Sequence, residues 1–545
     1  MTDTAAAEGY DYLILGGGSA GCVLANRLSA DPAVRVCLVE AGPSDRSALI
    51  RTPIGIMRLI DHPRYNWRSA TVPQANAGGR PLYVPRGRVL GGGSSINGMV
   101  YMRGDALDYD GWAAGGAAGW SYAEVLPYFL RSEDNEVWRA SPWHGTGGAL
   151  HVTDMRTHNQ VARDFLAAAE LLQIPRSTDF NVPHPIGAGF RQVTQRRGRR
   201  ESAVTAFLDP VRHRPNLTML TDALVDRVLV ADRRAIGARV MHGGASRTLA
   251  ARREVVVTAG ALGSAAILER SGIGDPAILW AAGVAPVHAL PGVGANLQDH
   301  GTASVTHRTR SLVPYGLSWR AVPRLAWEGL RYVAARRGLL SSNASEAAAF
   351  LRTDPDDPRA TLQLSFVSGR RGTRFGAGDW GHGYGITAIQ LHPWSRGSVH
   401  ILDADAATEP AIDFAAFDDP RDLMLMMEGV TLARRLLATP PFARYASEEV
   451  LPGAGRIGAE AIADHIRRTS GTAYHPVGTC AMGTGPMAVV DPALRLHGMT
   501  GLRVADASIM PTIVGGNTNA PVIMIAEKAA DLILGRPPPP PVAIA

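Results

Sequence analysis

The apolar run at residues 10–15, "YDYLIL", reads as a short strand buried on both faces. It breaks at Gly16–Gly18. From Ser19 the apolar spacing becomes helical, through Cys22, Val23, Leu24 and Leu28. A second apolar run, "VRVCLVEAG", follows and ends on Glu40. Strand, helix and strand in that order make a βαβ unit, which predicts a parallel, doubly wound sheet. The alternation returns at "REVVVTAGALGSAAILERSGIG" (253–274), a strand, a small-residue turn and a helix. It returns again at "GLRVADASIMP" (501–511), a strand ending on Asp506.

Between about 310 and 465 the pattern changes. "ATLQLSFVSG", "YGITAIQLHPW" and "GSVHILD" predict antiparallel strands, and "RDLMLMMEGVTLARRLLA" a long helix. The expectation is an α/β fold in which a Rossmann-like doubly wound domain is interleaved with an α+β domain built on an antiparallel sheet. The closing "GRPPPPPVAIA" predicts an unpacked polyproline II tail over 536–545.

Composition narrows the function classes. A chain of 545 residues that is 46% hydrophobic can bury a large core in more than one structural unit. The net charge is +6, but the arginines are scattered among acids and no nucleic-acid motif accompanies them, so no nucleic-acid partner is expected. Cys22, Cys37 and Cys480 lie too far apart for a disulfide framework or a zinc site, and no metal is expected. No apolar leader and no apolar run of membrane-spanning length is visible. A cytoplasmic protein is the expectation.

Gly16, Gly18 and Gly21 form G-x-G-x-x-G between the first strand and its helix, and Glu40 ends the next strand. Gly16 permits the turn, Gly18 lets backbone approach a pyrophosphate, and Gly21 lets the helix pack on the strand. Ser19 and Ala20 open the helix, whose N-terminus favours phosphate charge. Glu40 is placed to accept hydrogen bonds from ribose hydroxyls. The motif leaves FAD and NAD both open.

A second glycine-rich stretch, "GRVLGGGSSINGMVYMRG" (87–104), lies far from the first. With "GALGSAAILERSGIG" (260–274) and "AYHPVGTCAMG" (473–483), it resembles the glucose–methanol–choline (GMC) family of flavin oxidoreductases. "PGVGANLQDH" (291–300), "LHPWSRGSV" (391–399) and "NTNAPVIMIAEKAADLI" (517–533) extend the resemblance to about residues 9–535. The only departure from the signatures is Ala265, where proline is usual. The resemblance implies FAD as cofactor, with Gly92, Asn97, Gly98, Met99 and Val100 along the diphosphate and isoalloxazine. It implies Val225 at the adenine, Asp506 and Ala507 near the ribityl chain and diphosphate, Trp67 near the ring, and Thr518 beside Asn517. Ile96 stands where some relatives attach the flavin through histidine, so non-covalent FAD is expected. On this basis the FAD-binding domain spans 9–155, 201–310 and 466–535, and the substrate domain spans 156–200 and 311–465.

His475, in "YHPVGT", matches the family's catalytic histidine, and imidazole suits a base working near neutrality. Its partner is Asn517, with Asn519 two residues on left as the alternative. The resemblance then implies oxidation of an alcohol, most simply a primary one, to the aldehyde. Hydride would pass to flavin N5, with O2 or a quinone-type acceptor taking the electrons onward. The alternative is a non-redox or light-driven relative, such as a hydroxynitrile lyase or a fatty-acid photodecarboxylase. Asp299–His300 reads as a turn with local hydrogen bonds. The arginines of "RQVTQRRGRRES" (191–202) read as a solvated face, or else as a patch for an acidic substrate. Pocket residues are expected from 310–345 and from around Trp394.

Overall fold

The computed structural model describes residues 8–369 and 380–543. Seven strands make the first sheet: β1 (Glu8–Leu15), β2 (Val36–Val39), β3 (Leu217–Leu220), β4 (Ala223–Ala231), β5 (Arg234–His242), β6 (Ala245–Val257) and β7 (Leu502–Val504). Their spatial order is β3-β2-β1-β6-β5-β4, with β7 paired to β6. β3, β2, β1, β6 and β7 run parallel, while β4, β5 and β6 form an antiparallel meander. The register sets Leu15 beside Val39 and Val257, and Val257 beside Val504. The chain therefore leaves four parallel strands at one edge, and Gly16, Glu40, Thr258 and Asp506 line a common crevice, as in other doubly wound sheets.

Helix α1 (Ser19–Leu28) follows β1, and α2 (Gly260–Arg270) follows β6. Both bury their apolar faces in the first core, with Val23 and Leu24 of α1 and Leu268 of α2 fully enclosed.

The second sheet has eight strands, all antiparallel. Its main path runs from Glu448–Leu451 through Gly301–Thr309, Gly381–Gln390, Leu362–Val367 and Ala347–Leu351 to Gly187–Phe190. It thus draws strands from either side of residues 311–465. Period-two alternation is strict where it matters: Leu362, Leu364 and Phe366 bury under helices, whereas Gln363, Ser365 and Val367 turn to the opposite face. Helix α3 (Pro420–Leu437) supplies most of that cover. Asp419 caps it by accepting from Arg421 N–H, Pro420 suits its first turn, and Met426, Val430, Ala433 and Leu437 fall on one face. Gly429 brings helix and sheet close, since a Cβ there would stand 2.8 Å from the Ala388 Cβ. Helix α4 (Asn519–Leu534) closes the first unit against α1, with Arg27 paired to Glu527 at 2.7 Å.

Two expectations change. The "GSVHILD" strand, observed as Ser398–His400, pairs only with Ala411–Asp413 among the described residues. Its Val399 and the partner's Ile412 bury in the first core, and that burial draws the pair away from the second sheet. In the proline-rich tail, Val542 N–H donates to Ala123 O at 3.0 Å and its side chain packs against the first core. Among the described residues no helix is long and apolar enough to cross a membrane, and no cluster of ligands could hold a metal ion.

Candidate active site

A cavity of ≈ 700 Å³ runs from the crevice of the first sheet to the helix-free face of the second. The three glycines of the first turn have separate tasks. Gly16 has φ +122°, and a Cβ there would fall on Thr258 O; a Cβ on Gly21 would fall on Gly16 O. Gly21 does not line the cavity and serves helix–strand packing. Gly18 does line it, and the nearest atom to a Cβ there, Thr258 O, lies 3.9 Å away. A side chain at Gly18 would fit the protein but fill the cavity. Ser19 and Ala20 continue the lining at the start of α1.

Glu40 is buried at the cavity wall, its two carboxylate oxygens accepting from Gly17 N–H (3.0 Å) and Gly42 N–H (2.8 Å). Burial pushes its carboxyl up to about 7. Val225 and Ala507 line the same end. Arg270 holds the Val225 segment by donating to the Val225 and Asp226 carbonyls. The Asp506 side chain is saturated by Gly260 N–H (2.8 Å), Ser264 Oγ (2.6 Å), Ser508 N–H (2.8 Å) and Ser508 Oγ (2.6 Å). It fastens α2 to the end of β7, leaving the backbone to face a ligand.

The second glycine stretch lies directly on the first. Gly91 N–H donates to Gly17 O (2.7 Å), and a Cβ on Gly92, at φ +50°, would stand 2.9 Å from the Gly18 Cα. Two backbones in contact at the cavity wall explain the glycine density. Asn97 Oδ1 accepts from Met99 N–H (2.9 Å) and from buried Arg200 (2.8 Å), which fixes Met99 at φ +60°. Gly98, Val100 and Trp67 also line the cavity, and Ile96 presents a hydrocarbon side chain to it.

Three side chains from segments far apart in sequence meet beside the cavity. His475 Nδ1 lies 3.0 Å from His300 Nδ1, and His475 Nε2 lies 3.0 Å from Asn517 Nδ2. Burial, aided by the charge of Arg86, pushes His475 down to about 4. Burial beside His475 holds His300 well below the usual imidazole range, so both rings are neutral near pH 7. Hydrogen bonding then assigns the tautomers. His300 Nε2 is 3.1 Å from Val514 O, which only accepts, so the hydrogen sits on Nε2 and the Nδ1 lone pair is free. His475 Nδ1 must donate to it. That leaves His475 Nε2 unprotonated, next to Asn517 at the cavity.

The geometry also separates the two asparagines. Asn517 meets His475, while Asn519 Oδ1 accepts from Ser19 Oγ (2.7 Å) and ties α4 to α1. Thr518 takes the N-cap position and lines the cavity. The Asn517 loop is anchored by Asp108, which accepts from Gly515 N–H (2.6 Å) and pairs with His392 (2.9 Å).

Asp299–His300 is therefore more than a turn with local bonds. Asp299 Oδ1 accepts from His475 N–H (2.9 Å), and His300 reaches the His475 ring across 175 positions. Nothing in local spacing signals a contact of that separation. The arginine run divides: Arg196, Arg197 and Arg199 are exposed, as on a solvated face, whereas Arg191 and Arg200 are buried. Segment 310–345 reaches the cavity through Tyr315, Leu317, Leu325, Leu339 and Asn343. Trp394 is not among the lining residues, because Asp422 accepts from its N–H and Arg421 stacks over its ring, holding it on α3.

Two family models, both described as GMC oxidoreductase, match residues 10–302 and 393–526. An alcohol dehydrogenase (acceptor) of Pseudomonas putida is 41% identical, covering 97% of this chain and 96% of that protein. An oxygen-dependent choline dehydrogenase of Paraburkholderia xenovorans is 40% identical over 97% of this chain and 95% of its own length. Among solved structures, pyridoxine 4-oxidase from Mesorbium loti superposes with a TM-score of 0.85 at 33% identity, over 96% of this chain and 98% of that one. A formate oxidase from Aspergillus oryzae RIB40 superposes at 0.89 with 26% identity, over 97% and 98%.

Proposed function

The chain belongs to the GMC oxidoreductase family, FAD-binding enzymes that act on alcohols, and on that premise we propose that it oxidises a primary alcohol to the aldehyde with His475 as base. The observation that carries this reading is the chain Val514 O–His300–His475–Asn517, whose donors and acceptors are satisfied with the His475 Nε2 lone pair turned to the Asn517 amide.

The cavity wall suits FAD. Gly18 and the N-terminus of α1 would take the diphosphate, Glu40 the ribose hydroxyls, and the Gly92–Val100 backbone the ring system. Bound there, FAD supplies the acceptor for the hydride of the carbinol carbon. Ile96 offers no nucleophile for a covalent link, which supports non-covalent binding. An alcohol oxygen that comes within reach of both Asn517 Nδ2 and His475 Nε2, taking the place of the amide at the ring's lone pair, accepts from the amide and gives its proton to the ring. His300 holds that ring in the reactive tautomer, and the imidazolium formed in the step keeps its Nδ1–H on His300. Asn517 orients the oxygen but has no basic lone pair to compete for the proton. Electrons leave to O2 or to a quinone-type acceptor.

The test is anaerobic stopped-flow mixing of the holoenzyme, in the dark, with a panel of primary and secondary alcohols, following the visible flavin band. Bleaching is expected with a primary alcohol, and His475→Ala should slow it by about 10²–10⁴-fold, as for loss of a positioned base, with FAD still bound. Readmitting air then distinguishes O2 from another acceptor. A flavin that stays oxidised with every alcohol, or a His475→Ala enzyme reduced at the wild-type rate, would overturn the reading.

A further inference from the structure

The far end of the cavity carries a buried charge with nothing opposite it. Arg191 follows the Gly187–Phe190 strand, and its N–H donates to Glu346 O (3.1 Å). Its side chain lines the cavity at only 3% exposure. Nη2 makes all three of its recorded side-chain bonds, to Ser345 O (2.6 Å), Ser345 Oγ (2.5 Å) and Ser365 Oγ (3.2 Å). Nε is buried without a partner. Among the described residues no carboxylate lies within ion-pairing distance of Arg191. Arg103 and Arg503 do have one, Glu133 at 2.5 Å and Glu254 at 2.6 Å; Arg200, buried like Arg191 without a carboxylate, instead donates from two nitrogens to Ile50 O, Ser94 O and Asn97 Oδ1 and does not line the cavity. Burial pulls the guanidinium down to about 10, so it stays charged at neutral pH. A buried cation is strongly disfavoured unless hydrogen bonds or a counter-ion compensate it, and Arg191, bonded through Nη2 alone, faces a cavity where a ligand could complete that compensation.

A second, independent donor stands on the same wall. Gln363 is 3% exposed, lines the cavity, and its Nε2 is also buried without a partner. Gln363 and Ser365 are two residues apart on one strand, so their side chains share a face at about 7 Å separation. Ser345, Ser365 and Thr387 add hydroxyls to the same region. The acidic residues among the described lining are Glu40 and Asp506 at the glycine end, and Glu409. A quaternary ammonium would meet Arg191 with no acid beside it.

We propose that the substrate is an alcohol bearing a carboxylate at its far end, and that Arg191 receives the carboxylate with Gln363 as second donor. The inference rests on the alcohol-oxidising reading above. The strand Leu362–Val367, which carries Gln363 and Ser365, lies two strands from Gly301–Thr309, which begins directly after His300. Gln363 stands in register with Thr302 and Ser365 with Ser304, so at about 4.8 Å per strand and about 3.3 Å per residue their backbone lies roughly 12–16 Å from that of His300, a gap shortened by the side chains that reach in from either side. That separation suits a medium-chain ω-hydroxy acid. The carbinol loses its hydroxyl proton to His475 and two electrons as hydride to FAD, giving the ω-oxo acid; the carboxylate is unchanged.

The experiment compares ω-hydroxyoctanoate with the neutral ω-hydroxyoctanamide on the holoenzyme, by flavin reduction under anaerobic conditions. Wild type should favour the carboxylate in kcat/KM by at least about 10-fold, as for one charge-assisted contact, mainly through KM. Arg191→Met should bring the ratio to near one, and Arg191→Lys should keep part of it. Octanoate should inhibit oxidation of the amide competitively in wild type. Equal use of the two alcohols by wild type, or a preference that survives in Arg191→Met, overturns the proposal. Should Arg191→Met not fold, the wild-type ratio and octanoate competition decide. Flavin reduced by neither alcohol nor any other would count against the alcohol-oxidising reading itself; reduction by the amide without a carboxylate advantage counts only against the anion site.

Discussion

Replacing His300 by leucine removes the acceptor for the His475 Nδ1–H while keeping an apolar side chain of similar bulk. In the native site that hydrogen bond is 3.0 Å long, between two buried rings. Without it, the reactive tautomer of His475 holds a buried donor with no partner, at a cost of about 1–3 kcal/mol. The other tautomer, with its proton on Nε2, avoids that cost but cannot take a proton from the substrate. At 1.4 kcal/mol per tenfold, the reactive form falls by about 5–150-fold. The limiting rate of flavin reduction should fall by about the same factor, with KM for the alcohol and FAD content little changed. His300→Asn offers an amide oxygen near the lost Nδ1 and should recover part of the rate. The assay is anaerobic stopped-flow at saturating alcohol, with FAD content read from the protein and flavin bands. Reduction of the His300→Leu holoenzyme at the wild-type rate would refute the tautomer argument. An equal loss in His300→Leu and His300→Asn would assign His300 a packing role instead.

The remaining predictions concern pH and the cofactor cradle. His475 has its pKa depressed to about 4; as the proposed base it would work in its neutral form, so flavin reduction should be flat through neutrality and fall only as pH drops through about 4, and an acid limb near 6.5 would contradict the burial argument. Glu40, raised to about 7, is protonated in the ligand-free protein below that pH, whereas ribose hydroxyls favour its carboxylate. FAD binding should therefore tighten as pH rises from 5 to about 7, by up to about tenfold per unit, and flatten above; titrating apoprotein with FAD by flavin fluorescence checks this, and Glu40→Gln should abolish the dependence. The same raised pKa gives the ligand-free fold a contribution to stability that is present below about 4.5 and lost as pH rises through about 7. Gly18→Ala should fold and fail to retain FAD, whereas Gly21→Ala should lower the melting temperature of the ligand-free protein, since its Cβ would meet Gly16 O; full FAD content in Gly18→Ala would show that the cradle is read wrongly.

What the sequence determined by itself was whatever depends on the local backbone. The step from β1 to α1 is visible because the apolar spacing changes at Ser19, and the glycine turn because a left-handed φ or a missing Cβ is required at fixed positions. Glu40 ends its strand in sequence and in space, so its place at the cavity was legible too. The alternation of Leu362, Gln363, Leu364 and Ser365 announced two faces, yet it could not say that α3 would cover one and a cavity the other. Only the tertiary structure joined His300 to His475, chose Asn517 over Asn519 as the partner of that ring, and buried Arg191 while leaving Arg196, Arg197 and Arg199 in water. Each of those outcomes turns on desolvation and hydrogen bonding between segments far apart in the chain. Burial is a sum over everything that packs around a group, and no local spacing carries that sum.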